Sequence, residues 1–148
     1  MQVIDAFVQV MREEIELISQ LTHLGQEKQK HISDVELLKN ITEKEQNLLG
    51  HLELVELERV RLFDVIAPEQ TLSEWVQQLN EPEIAAIVEE LHVNYAQLNS
   101  VNTINQMLIQ ESLAYIQFSI NLLVDDFPAT YTKPGTTNLR KSIFDRKV

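Results

Sequence analysis

The sequence predicts an all-α protein. Three long helices and one short one form an elongated antiparallel hairpin or bundle over residues 1–126, with a mobile C-terminal tail over 127–148. Three observations carry that prediction. Among 148 residues there are only three glycines and four prolines, so the chain has few places to turn. One run, Pro82–Asp126, contains neither residue after its opening proline, and Pro82 suits a first helical position, where a missing N–H costs nothing. As a single helix that run would extend about 65 Å. Between Ser33 and Ile66 the apolar residues also keep heptad spacing.

Taken in order, Met1–His31 reads as a helix with Ile4, Phe7, Met11, Ile15, Ile18 and Leu21 on one face. Glu13, Glu14 and Glu16 fall mostly off that face. Gly25 is expected to weaken the far end, where Lys28 and Lys30 suit a helix C-terminus. Ser33-Asp-Val-Glu36 spells a capping box that restarts the chain. The second helix should run to about Ile66, ahead of Pro68. Leu38, Leu52 and Ile66 share one seam position, and Ile41, Leu48, Val55 and Leu62 the other. Glu45 and Arg59 interrupt the first seam. They are too far apart to pair within one helix, so they snorkel at the seam edge or meet polar groups of a neighbouring helix. The short connection makes helices one and two an antiparallel hairpin.

Thr71-Leu-Ser-Glu74 is a second capping box, opening a short helix to about Leu79 with Leu72, Trp75, Val76 and Leu79 inward. Trp75, the only tryptophan, is a packing anchor. Asn80-Glu81-Pro82 then turns into the long helix. Beyond Asp126, two prolines and a glycine in Phe127–Asn138 are turn and linker chemistry.

Charge is unevenly placed. The chain carries −11, yet residues 133–148 hold five bases against one acid and so +4, leaving −15 on the rest. No Lys or Arg occurs from Leu62 to Thr132. Such a body repels nucleic acid and anionic membrane. The start of the chain shows no basic stretch followed by an apolar one, so no signal peptide is expected. Without cysteine there is neither disulfide nor thiolate chemistry, which fits a reducing compartment. No G-x-S-x-G turn or Gly-rich phosphate loop occurs. Glu89-Glu-Leu-His92 supplies one Glu-x-x-His without a second, half of what a di-iron bundle needs. Neither catalytic residues, cofactor nor metal site is expected, and no enzyme.

The long helix carries what is left. Its first half is amphipathic, with Ile84, Val88, Leu91, Tyr95 and Leu98 at steps of four and three. From Thr103 to Val124 it holds one charge, Glu111, and two apolar seams. One is Val101, Leu108, Tyr115 and Leu122. The other is Ile109, Ile116 and Leu123, widened by Leu113 and Ile120. The polar residues scattered through this run argue against a membrane span. Asn102 and Asn105 stand where the seams diverge. They face water, bond to a neighbouring helix, or edge a partner groove. The apolar run is either the core of a homo-oligomer, as in a coiled-coil scaffold, or a groove for another protein's amphipathic helix.

Several stretches resemble one known family. Leu37-Leu-Lys-Asn-Ile-Thr-Glu-Lys-Glu-Gln-Asn-Leu-Leu49 with Leu57-Glu-Arg-Val-Arg61, then Asn102-Thr-Ile-Asn105 running into Leu108, Leu113 and Ile116, then Tyr131 before Lys-Pro-Gly, resemble in their order and in the chain's length the FlgN-type flagellar export chaperones. The resemblance implies a cytoplasmic chaperone that binds the C-terminal helical segment of hook-associated proteins of the FlgK and FlgL type. It would prevent their premature assembly and deliver them to the flagellar type III export gate. On the same basis Asn102, Asn105, Leu108, Ile109, Leu113, Ile116 and Ile120 would line the client site, and Tyr131 would dock at the gate. A weak homodimer is compatible with this. The tail departs from the family pattern in being more basic and more apolar over Leu139–Val148, which suggests a segment that occupies the groove when client is absent.

Overall fold

The computed structural model describes residues 2–126, which form four helices: α1 (Gln2–Lys30), α2 (Val35–Ile66), α3 (Leu72–Leu79) and α4 (Pro82–Asp126). There is no strand among the described residues. The expected all-α architecture holds, and α4 is one helix throughout. The tail, with Tyr131 and the segment Leu139–Val148, lies outside the described residues.

α1 is the central element, packed closely along both α2 and α4. Side-chain pairs fix the directions. Moving up α1, its α2 partners descend the sequence: Phe7 meets Phe63, Glu14 meets Arg59, and Lys28 meets Glu45. Its α4 partners ascend: Glu14 meets Tyr95, and Gly25 meets Val101 and Asn105. The α1–α2 pair is therefore antiparallel, as its short connection requires, while α1 and α4 run parallel.

The lower end is closed by aromatic rings. Phe7, Phe63 and Trp75 stand with centroids 5.6–5.8 Å apart, Trp75 edge-on to both others. Trp75 thus anchors α3 as its sequence position suggested. The capping box at Thr71 and Glu74 forms as expected. Asn80, with φ 54° and ψ 42°, takes the left-handed conformation that ends α3. Two residues later Pro82 opens α4.

The cap of α2 differs from expectation. Asp34, not Ser33, is the N-cap, and its Oδ1 accepts the Leu37 N–H at 3.1 Å. Residues 31–33 are used by the turn, whose Asp34 N–H donates to the His31 carbonyl at 3.0 Å. This leaves Asp34 as the first residue in extended conformation. A carboxylate there also meets the positive end of the helix dipole.

Candidate functional site

The buried face of α4 is built from Ile87, Val88, Leu91 and Leu98, with Ile84 and Tyr95 half-buried beside them. α1 is the chief neighbour of α4 along this face, with α3 against it near the lower end. Continued in steps of three and four, the same angular position passes through Asn102, Asn105, Ile109, Leu113, Ile116, Ile120 and Leu123. The stripe that packs on α1 in the first half of α4 therefore runs on, in phase, through the second half.

α1 does not run on with it. Gly25 lies beside Val101 and Asn105, and α1 ends at Lys30. From about Ile109, α4 projects beyond the end of its partner by about 26 Å. Most of the projecting part's large apolar side chains are exposed, with Ile109 and Ile120 half-buried. Leu113 is 41% exposed, Ile116 52% and Leu123 55%, and Phe118 and Tyr115 more so. Several exposed large apolar side chains on one short stretch of helix are unlike the scattered singles normal on a protein surface.

The junction is built from polar contacts, and for Asn105 and Glu45 they are the bonds to a neighbouring helix that stood among the sequence's alternatives. Asn105 is 1% exposed, and its Nδ2 donates to the Gly25 carbonyl at 2.9 Å. Its Oδ1 is buried with no hydrogen-bond partner among the described residues. Gly25 is the point of closest approach: a Cβ there would stand 2.6 Å from Cγ1 of Val101. Gly25 is buried in the last third of α1, and the helix continues past it to Lys30. Just above, Lys28 and Glu45 pair at 2.6 Å, both nearly inaccessible. Burial pushes the Lys28 ammonium down from its usual range and the Glu45 carboxyl up, each opposed by its partner.

Midway down, Glu14 is fully buried. Its carboxylate accepts from Arg59 Nε at 2.6 Å and from the Tyr95 hydroxyl, tying α1 to both neighbours. Burial, then the Glu14 carboxylate, hold the Tyr95 phenol well above its ordinary pKa, so it stays a donor. Placing Glu14 off the buried face was therefore incorrect. A central helix gripped from two sides buries a wider arc than a six-residue apolar stripe indicates. Glu45 and Arg59, the two breaks in the α2 seam, both meet α1.

Of the site residues expected from sequence, the structure brings Asn102, Asn105, Ile109, Leu113, Ile116 and Ile120 onto one stripe. Asn102, Ile109 and Ile120 are half-buried, Leu113 and Ile116 exposed, and Asn105 enclosed. Leu108 stands apart, about 100° around the helix with Tyr115 and Leu122. A shallow recess of about 400 Å³ between α1 and α2, lined by Gln20, His23, Leu24, Lys44, Asn47 and Leu48, was not anticipated. No helix among the described residues is long and apolar enough to cross a membrane.

The fold thus defines a class: an all-α bundle from which one helix projects with its packing stripe uncovered. The family model described as FlgN protein matches residues 1–139, and the chain belongs to the FlgN family, a family of flagellar export chaperones that bind hook-associated proteins. Neither a curated protein nor a solved structure matches the chain.

Proposed function

We propose that this chain is a cytoplasmic chaperone for hook-associated proteins of the FlgK and FlgL type. It binds their C-terminal helical segment, prevents premature assembly and delivers them to the export gate. The observation that carries the reading is the in-phase stripe of α4. A client helix laid on Ile109, Leu113, Ile116 and Ile120 would take the place that α1 vacates and extend the bundle by one more helix. No nucleotide is needed for this, since the apolar face itself supplies the attraction.

Within the site the residues divide by role. Leu113 and Ile116 are the anchors, because they are the most accessible of the proposed set. Ile109 and Ile120 widen the contact, Asn102 edges it, and Leu108 meets a client only from the side. Asn105, held inside the bundle, fixes α4 against α1 immediately before the stripe emerges. Tyr131 remains the proposed gate-docking residue.

Titration calorimetry with a peptide of the client's C-terminal segment tests the site. Leu113→Asp should weaken binding by more than about 2 kcal/mol, roughly thirtyfold in Kd. Helicity and unfolding midpoint should stay near wild type. Unchanged affinity would remove the stripe from the client site. Equal loss of helicity would mean that Leu113 is core.

A further inference from the structure

α4 carries a second apolar stripe, on a different side from the one that faces α1. Ile104, Leu108, Glu111, Tyr115, Phe118 and Leu122 follow one another at steps of four and three, which sets them on a single face about 140° from the first stripe. Leu108 is half-buried; the others are exposed, Tyr115 to 72%. This face is not a continuation of any contact in the bundle. Ile104 and Met107, 45% and 55% exposed, are already bare where α1 still covers the opposite side. It also differs in charge. The first stripe is neutral from Ile109 to Leu123, whereas this one has a carboxylate, Glu111, at its centre. Glu111 makes no ion pair among the described residues.

An occupant must therefore offer apolar residues at helical spacing with a base among them. A second copy of this face offers the opposite. No Lys or Arg occurs between Leu62 and Thr132, so self-pairing would set carboxylate against carboxylate. The chain's own end has the required pattern. Leu139, Ile143 and Arg146 stand at steps of four and three, with Arg140, Lys141 and Lys147 beside them. The intervening residues 127–138 span at most about 40 Å when extended. The stripe from Ile104 to Leu122 is about 27 Å long, so the segment can double back along it.

We infer that residues 139–148 seat antiparallel on the Ile104–Leu122 stripe of the same molecule, with Leu139 on Leu122, Ile143 on Phe118 and the Arg146–Lys147 pair toward Glu111. The first stripe stays free. The segment then shields one apolar face of the projecting helix rather than occupying the groove proposed for client. This arrangement does not rest on the client reading.

The absence of native cysteine gives a clean test on the full chain. Ser142→Cys is combined with Asn121→Cys, which flanks the second stripe, or with Ile116→Cys on the first. Intramolecular disulfide formation is then timed under mild oxidation, with circular dichroism to confirm the fold. The Asn121 pair should link several times faster than the Ile116 pair. Glu111→Lys should slow it, and Glu111→Lys combined with Arg146→Glu and Lys147→Glu should restore it. Faster linking at Ile116 would put the segment on the first stripe and overturn the inference. So would equal rates on both faces, links between molecules, or a rate indifferent to Glu111→Lys.

Discussion

Gly25 and Gly50 are both helical glycines, and alanine should move the protein in opposite directions at the two. At Gly25 the added methyl would meet Val101 Cγ1 at 2.6 Å. That atom belongs to a β-branched side chain with little rotamer freedom, so α1 and α4 must separate. We expect Gly25→Ala to lower stability by about 1–3 kcal/mol, more than the roughly 1 kcal/mol gained in helix propensity. At Gly50 nothing lies within 4 Å, so Gly50→Ala should raise stability by about 0.5–1 kcal/mol. Urea unfolding midpoints of the two variants check both. Nothing local in the sequence separates these glycines, because the distinguishing contact comes from a helix far along the chain. The same holds for Glu14, whose partners Arg59 and Tyr95 lie on two other helices.

Between elements, the clearest joint is the Lys28–Glu45 pair of α1 and α2. Two charges removed from water this fully gain little over an apolar pair, but losing one leaves the other stranded. Lys28→Met should cost about 3–5 kcal/mol. Adding Glu45→Leu to it should recover most of that loss or exceed wild type, as a double-mutant cycle by thermal unfolding would show. At this scale the sequence was widely legible. Capping, proline placement and heptad spacing located all four helices to within a residue or two, since each is a local property of the chain. The exception, Asp34 in place of Ser33 as the α2 cap, depended on how many residues the turn consumed. Glu45 and Arg59 were visible as breaks in a seam, but the elements they would meet were not.

Across the molecule, the decisive feature is a mismatch of lengths. α4 has 45 residues and α1 has 29, and they run in parallel, so the longer must outlast the shorter. The sequence disclosed both lengths and both seams of α4. It did not disclose the parallel setting, which decides where cover ends. That setting shows the asparagine pair to be a junction, with Asn105 turned inward, and most of the large apolar residues beyond it to be exposed. The net charge of −15 on residues 1–132 accords with such a design, since charge elsewhere offsets the solubility cost of exposed apolar helix.

The projecting helix is also where backbone protection should be lowest, because local opening there gives up little buried apolar surface. Hydrogen exchange, followed with and without a peptide of a hook-associated protein's C-terminal segment, reads this directly. In the free protein, amides of 109–123 should exchange well ahead of those of 84–101. Added peptide should slow the 109–123 amides selectively and leave α1 and α2 unchanged. Protection appearing instead along α1 and α2, with 109–123 unaffected, would contradict the claim that the uncovered stripe of α4 is where this protein holds its client.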